Sequence, residues 1–448
     1  MSEGKKKHIR LDFAPGVRLA FTGTEVSADA GVLLLREFDE RLGLTDALAE
    51  KLVDPRYPAF TKHTLRDLLR QYLYQIIQGY ADADDADSLR IDPALRLAVG
   101  KERFEEPLAS QPTLTRLENM ILARPTNLRV LREANLEWVE TARKLRDQKK
   151  FVIDLDSFED PVHGRQSRSA YNGYYEHRIF LPLVALDGET GDVLAAELRG
   201  GTDYDIDPIM DLVCPLIHHE RVRRRPLRVR ADAEFARPEL MERFEQYTGL
   251  RYYIRIKSNA VLEAQIEAFK TPPPGRPPEN DPIVQHTSFH YQAETWPHPR
   301  RILAKIEHWP EELFPRTGFI VTNDEACTPE DGIRFYNGRG RAEHIIEEGK
   351  NALSWDRLSC HKFRANRARL AVHVLAYTLA HLMREFGMPR SHEHWKIRTI
   401  REKLLKLATR VTRGARMVFF HLAASFPQKL LFLRVMKNLQ RLPVLDTS

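Results

Sequence analysis

Apolar positions change their spacing along this chain, and the changes mark out its elements. After two short alternating stretches, HIRLDF and VRLAF, which predict strands, the spacing becomes helical. GVLLLREFDERLGL and TLRDLLRQYLYQIIQGY carry apolar residues three and four apart, with Ser27 as the expected cap of the first run. Near residue 150 the period falls to two. KKFVIDLDS, HRIFLPLVALD and DVLAAELRG read as three successive strands, the last two separated by a Gly-Glu-Thr-Gly turn. A helical run, DIDPIMDLVCPLIHHE, then leads to PLRVRADAEF as a strand, RPELMERFEQYTG as a helix and LRYYIRIK as a strand. The predicted order is β-β-β-α-β-α-β, an α/β unit that opens as an antiparallel meander and continues through crossovers.

Past residue 257 the proline-rich TPPPGRPPENDP interrupts the pattern, with strand-like SFHYQAE, RRILAKIEH and FIVTN around it. GIRFYNGRGRAEHIIEEGKNAL and KFRANRARLAVHVLAYTLAHLMREFG follow as long helices. The expected organisation is a mostly helical region over 1–145, a core over 146–256 and 331–388, a β-rich insertion over 257–330 and a basic helical region over 389–448. The acidic cluster of Asp82, Asp84, Asp85 and Asp87 lacks the glycine and glutamate that a calcium loop needs, so it reads as a helix junction.

Composition narrows the function classes. A chain of 448 residues with 42% hydrophobic content can bury a large core, and no apolar run is long enough for a membrane span or a signal peptide, which points to the cytoplasm. Cys214, Cys327 and Cys360 are far apart, so buried thiols are expected rather than a disulfide framework or a zinc ribbon. Charge is informative in its distribution. Between Arg390 and Arg441 thirteen Lys or Arg face two acids, an excess of eleven that leaves the rest of the chain at about minus five. Such a segment attracts nucleic acid or forms a solvated helix face, and both readings stay open here.

Three features carry candidate chemistry. Strand alternation puts Asp154 and Asp156 on one face of FVIDLDS, and buried carboxylates need a metal, a basic partner or solvent. Asp232 ends the strand RVRADA, where a cap or turn role competes with that of a ligand. Tyr336, Arg339, Glu343 and Lys350 fit Y-x2-R-x3-E-x6-K, and on one helix they would fall within an arc of about 60°. That polar stripe would lie beside the core-facing Ile345, Ile346 and Leu353, and it could equally be a solvent-exposed face with spaced ion pairs.

These residues resemble the bacterial insertion-sequence DDE transposases whose third acid lies in the Tyr-Arg-Glu-Lys signature. The likeness extends to LDSFEDPVHG with AYNGYY, to RADAEFARPEL, to GYADADDADSLRIDPAL and to LASQPTLTRLEN, and so covers nearly the whole chain. It implies a ribonuclease H-like catalytic core, consistent with the element order, and a β-rich insertion before the catalytic Glu. It also implies a metal-binding catalytic triad of Asp156, Asp232 and Glu343. Asp154 is the alternative first acid and Glu347 the alternative third, although only Asp156 is followed by a small hydroxyl residue and only Glu343 has the signature's distances to Arg339 and Lys350.

The resemblance further implies two Mg²⁺ ions, for which Mn²⁺ would substitute, and cut-and-paste transposition. Water first exposes a 3′-hydroxyl at the element's end, and that hydroxyl then attacks target DNA. Tyr336, Arg339 and Lys350 would contact phosphates. Trp296 or Trp309 would hold a flipped base, against the alternative of a small satellite core. The N-terminal region would bind terminal inverted repeats, and Lys396, Arg398, Arg401, Lys403 and Arg410 would add phosphate contacts. The expected partners are double-stranded terminal-repeat and target DNA and a second copy in a homodimer, in a bacterial nucleoid setting. The rival readings are another ribonuclease H-like nuclease, an inactive or domesticated DNA-binding derivative, and a small-substrate metallohydrolase.

Overall fold

The segment Val152–Ser157, β1, is a central strand because Val152, Ile153 and Leu155 can be buried on both of its faces. In the computed structural model, side chains are described for residues 25–101, 106–219, 227–273, 281–310, 312–414 and 417–445, and backbone alone for 9–11, 14–19 and 220–222. The lysine-rich start, parts of the two opening strands and residues 274–280 of the proline-rich stretch lie outside the described residues. The chain forms two units, one of residues 122–378 and one of 1–121 with 379–448.

In the first unit, β1 is followed by β2 (His177–Asp187), β3 (Val193–Arg199), α1 (Asp207–Val222), β4 (Leu227–Ala231), α2 (Pro238–Glu245) and β5 (Leu250–Ile256). β1 and β3 pair antiparallel with β2, while β1, β4 and β5 run parallel. This matches the order and the meander expected from the apolar periods. The turn between β2 and β3 includes Gly191 at φ +84°, in the left-handed region that glycine adopts without strain.

β6 (Ile283–Tyr291), β7 (Arg300–His308) and β8 (Arg316–Thr322) come from the expected insertion, and they are continuous with the main sheet. β8 pairs antiparallel with β5, β7 with β8 and β6 with β7, giving the order β6-β7-β8-β5-β4-β1-β2. Two short strands, Asp160–Pro161 and Ala170–Asn172, pair with the start of β2. Strand-forming residues on both sides of the proline-rich stretch thus extend the sheet through backbone pairing. On it, Leu303, Ile320 and Tyr253 pack with Ile333 of helix α3 (Pro329–Asn337), and Phe335 and Tyr336 lie against this cluster. α4 (Gly340–Leu353) and α5 (Phe363–Gly387) follow.

The orientation of α4 rests on Trp355. Its buried ring lies between Phe158, at 6.1 Å, and Tyr377, at 5.2 Å, and its indole N–H donates to the His373 carbonyl at 3.3 Å. Gly349 lets the helix lie directly on that ring, since a Cβ there would come 2.3 Å from Trp355 Cδ2.

The second unit is mostly helical in its N-terminal part, with Val32–Leu42 and Leu65–Ile77 among its helices. Ser27 does not cap the first helix as expected. Its Oγ accepts from the Asp29 N–H at 3.0 Å, and the helix starts after Gly31, where the backbone lies so close to Leu405 that a Cβ would sit 2.3 Å from its Cα. The acidic cluster is a junction: Asp82 and Asp85 form a reciprocal cap on a short 3₁₀ turn. The C-terminal part departs from the all-helical expectation, because Thr409–Arg413 and Val418–Leu422 form a hairpin that also pairs with Val26–Ser27. Its β-branched and aromatic residues favour that form. Of the three cysteines only Cys360 is buried, and all are free thiols. Among the described residues no helix is long and apolar enough to cross a membrane.

Gly349→Ala should overpack the contact with Trp355 and destabilise the first unit by about 1–3 kcal/mol. A thermal or denaturant melt checks this; an unchanged midpoint would mean that Trp355 does not seat α4.

Candidate active site

The site begins with register. β1 and β4 run parallel with Asp154 opposite Arg230 and Leu155 opposite Ala231, so the next residues, Asp156 and Asp232, leave adjacent strands side by side. Carboxyl ends of parallel strands are where open sheets form ligand crevices. The side chains of Asp154 and Arg230 are both buried, and they form two bonds, Nε to Oδ1 at 2.6 Å and Nη2 to Oδ2 at 2.7 Å. Burial raises the Asp154 carboxyl above its usual value against the pull of Arg230. The third arm of the guanidinium, Nη1, donates to the Phe335 carbonyl at 2.7 Å and so ties the end of α3 to the sheet. Asp154 is thereby committed to a protein partner.

Asp156 is also buried, and it meets a basic and a backbone partner. Its Oδ1 accepts from the Ser157 N–H at 2.9 Å, and its Oδ2 lies 2.8 Å from Arg339 Nη2. Burial, opposed by Arg339 and assisted by Asp232 and Glu343, pushes the Asp156 carboxyl up to about 6. Asp232 opens a 3₁₀ turn, accepting from the Glu234 N–H at 3.0 Å, and burial raises its carboxyl as well. Glu343 reaches in from the first turn of α4, its Oε1 3.8 Å from Arg339 Nη1, with its side chain 73% exposed. Arg339 is the buried cation at the centre. Burial opposes its charge, but Asp156, Tyr336 and Asp232 more than offset this and raise its value. Among the described residues its Nε–H has no hydrogen-bond partner.

The signature residues lie on two helices rather than one. α3 ends at Asn337, and through Gly338 and Arg339 the bonds tighten to three-residue spacing, Gly338 N–H to Phe335 O at 3.2 Å and Arg339 N–H to Tyr336 O at 2.9 Å. Gly338 is needed at this junction, because a Cβ would sit 2.4 Å from Arg230 Nη1. Tyr336 is half-buried, with Arg339, Asp232 and Asp156 among its charged neighbours. Ile345, Ile346 and Leu353 face the core as expected. Lys350 lies at the other end of α4, its ammonium 5.1 Å from the centre of the Phe158 ring. Glu347 is exposed on the same helix, near His344 and Asn351.

Glu234 belongs to this site, and the sequence reading passed over it. Its carboxylate receives a hydrogen bond from the Ser157 hydroxyl and another from Arg199 Nη2 at 2.8 Å, so it links the exits of β1 and β4 to the end of β3. The Asp-x-Glu spacing in RADAEF was the available signal.

The remaining candidates lie elsewhere. Trp296 is buried in the main core, in edge contact with Tyr291 at 5.4 Å and covered by Arg300. Trp309 is half-buried under Arg316, whose guanidinium is 4.9 Å from the ring. In the other unit, Lys396, Arg398, Lys403 and Arg410 are exposed, with Arg398 paired to Glu402 and Lys403 above Trp395. Arg401 differs from its expected place at a phosphate surface. Its guanidinium donates to the Ile77 carbonyl at 2.6 Å and the Ile76 carbonyl at 3.4 Å, satisfying the end of a helix, and burial lowers it to about 10.

Asp232 and Glu343 add to the rise at the Asp156 carboxyl, and a divalent cation, which takes hard oxygen donors such as these three carboxylates, would relieve that repulsion.

Asp154→Asn should cost about 3–5 kcal/mol, since it leaves the Arg230 charge buried without its partner; chemical denaturation measures it, and a loss below about 1 kcal/mol would contradict the pairing's role. Asp156 gives a pH signature. Its folded value lies above the ordinary carboxylate value, so its ionisation penalises the folded state fully above pH 6, and the penalty fades as pH falls toward the unfolded value. In EDTA, the stability of Asp156→Asn relative to the natural chain should therefore fall between pH 7.5 and pH 4.5, read as the difference in melting midpoints. A pH-independent difference would count against a raised value.

Comparison with known proteins bears on what this arrangement serves. The family described as "Transposase DDE domain group 1" matches residues 9–444. No curated protein matches in sequence. Among solved structures, the chain is similar to the piggyBac transposase of a synaptic complex with hairpin DNA, determined by cryo-electron microscopy. That chain is 12% identical, with 98% of this chain and 88% of that one covered and a TM-score of 0.39, too distant to carry structural detail across. The match across nearly the whole length shows that this chain belongs to the DDE transposases of that family.

Proposed function

We propose that the chain cuts DNA at the ends of a bacterial insertion sequence and joins those ends to target DNA by cut-and-paste transposition. The observation that carries the reading is the β1–β4 register, with Asp156 and Asp232 adjacent and Arg339 and Glu343 brought over them from the α3–α4 junction. The order β3-β2-β1-β4-β5, in which two antiparallel joins lead into three parallel strands, supports a ribonuclease H-like core. The Y-x2-R-x3-E-x6-K residues support the branch that bears this signature.

In this reading Asp156, Asp232 and Glu343 hold Mg²⁺, with Mn²⁺ as a substitute, and the bound cations supply positive charge to the attacking and leaving oxygens of a phosphodiester. The residues of the chain prepare that chemistry. Arg339 offsets the Asp156 charge and keeps an unpartnered Nε–H that can donate to a phosphoryl oxygen. Tyr336 sits beside it and restricts water. Glu234 and Arg199 hold Ser157, and with it the backbone N–H that orients Asp156. Lys350, seven residues and about 10 Å along α4 from Glu343, is suited to the DNA backbone rather than to the reacting phosphate. Lys396, Arg398, Lys403 and Arg410 add phosphate contacts. Two copies bridge two ends.

The test is cleavage of labelled DNA carrying the element's own terminal repeat, with Mg²⁺ or EDTA. Nicking at the repeat boundary should require the metal and should fall to the EDTA level in Asp156→Ala, Asp232→Ala and Glu343→Ala, while Glu347→Ala retains it. Binding without cleavage by the natural chain would overturn the catalytic reading in favour of a DNA-binding derivative. Cleavage that survives Glu343→Ala but not Glu347→Ala would reassign the third carboxylate.

A further inference from the structure

The unit of residues 1–121 and 379–448 contains a cavity of about 370 Å³ that the proposed reaction does not use. It lies between the 3₁₀ turn Pro58–Phe60, the start of helix Leu65–Ile77 and the helix Gln111–Arg116. Its volume is at the small end of the roughly 300–1,000 Å³ of ligand sites. The floor is apolar, made by the buried Leu68, Leu117 and Ile121. At the rim stand Tyr57 and Phe60, 69% and 88% exposed, with ring centroids 5.6 Å apart. Two aromatic rings this exposed on one short turn gain little from the protein's own core, whereas flat apolar ligands can stack on them.

Among the described residues that line the cavity, the charged side chains are cations. Lys62, Arg90 and Arg116 line it, while Asp67 and Glu106 lie near enough to act on its His63 from beyond the described lining. Arg56, also in the lining, is already paired with Asp54, at 2.9 and 2.7 Å. The other three form no ion pair among the described residues. Two buried polar atoms in the lining have no partner among the described residues: Arg90 Nε and His63 Nδ1, on an imidazole only 8% exposed. Burial, with Lys101 and Lys62 nearby, lowers His63 against the opposing pull of Asp67 and Glu106, so at neutral pH it is an uncharged ring with one donor and one acceptor. Buried polar groups without partners call for a ligand or water.

A small cavity with an apolar floor, aromatic rim, a neutral hydrogen-bonding ring and unpaired cations matches a base joined to a phosphate. A base inside a duplex cannot enter such a concavity without leaving the stack. We propose that this cavity receives one unpaired nucleotide of DNA, its base stacked on Tyr57 and Phe60 and edge-bonded by His63, its phosphate among Lys62, Arg90 and Arg116. The inference deepens the proposed function and rests on it in taking DNA as the partner. It assigns this unit the recognition of a distorted or single-stranded position, separate from the acidic site.

The test uses the full chain and two DNAs of the same sequence, one fully paired and one with a single unpaired 2-aminopurine. The natural chain should bind the second more tightly and change its fluorescence. Tyr57→Ala with Phe60→Ala, both exposed and so compatible with folding, should abolish the fluorescence change and weaken that binding about tenfold. Affinity for the paired DNA should stay within about twofold. Arg116→Glu, also exposed, should weaken the same binding through the phosphate. Equal binding of the two DNAs by natural and variant chains would overturn the proposal, and so would full displacement of the unpaired DNA by free deoxyadenosine monophosphate, which would assign the cavity to a free nucleotide. Metal-dependent nicking is measured on the same samples. Loss of nicking in the natural chain with the unpaired-DNA preference intact would sink the proposed reaction and leave the cavity assignment standing; the reverse result would sink the cavity alone.

Discussion

A single buried ion pair, Asp154 with Arg230, holds the candidate active site in place. Two charges in the middle of a sheet are costly, and the cost is offset only because the guanidinium makes two short bonds to the carboxylate and a third to a backbone carbonyl. Each bond has a geometric consequence. The first two match the parallel register of β1 and β4, and that register sets Asp156 next to Asp232. The third reaches Phe335 and fixes where α3 ends, so the chain turns into α4 with Arg339 buried against Asp156 and Glu343 one turn further on. Gly338 is part of the same device, because its missing side chain leaves room for the guanidinium.

Around this pair the site has an uneven electrostatic character. Asp156 and Asp232 are held by backbone N–H groups and by burial, whereas Glu343 is largely in solvent and touches the cluster only through Arg339. Two acids are thus preorganised and the third stands on a helix end whose position depends on packing further away. That packing comes from strands β7 and β8, whose Leu303 and Ile320 seat α3, and from Trp355, which seats α4 against Gly349. The strands that interrupt the sequence pattern are therefore structural support for the signature helices as well as an extension of the sheet.

The elements themselves were legible in the sequence. Period-two alternation in FVIDLDS and HRIFLPLVALD, the glycine turn before DVLAAELRG and the helical spacing of TLRDLLRQYLYQIIQGY all correspond to observed elements, because steric preference and the burial of one face act over neighbouring residues. The paired acids on one strand face and Asp232 at a strand end were legible for the same reason, whereas the stripe through Glu343, expected on one helix, is divided between α3 and α4. The departures have a common origin. Ser27 looks like a cap, yet the helix begins later because the backbone at Gly31 is drawn against Leu405. Arg401 looks like one of many surface cations, yet it satisfies carbonyls more than three hundred residues away in sequence.

By itself, the sequence determined the strands and helices of the core, which face of each is apolar, and the order in which the acidic residues arrive, but not the hairpin of Thr409–Arg413 and Val418–Leu422, which was expected as helix. Alternation puts Asp154 and Asp156 on one face, and only the resemblance, through the small hydroxyl residue after Asp156, favoured one of them. Tertiary structure supplied the physical distinction: Asp154 meets an arginine 76 residues away, and Asp156 opens toward Asp232 and Arg339. The physical reason is range. Local sterics and periodic burial are written over a few residues, whereas the partner of a buried charge is chosen by strand register and helix docking between distant parts of the chain, which no local pattern encodes.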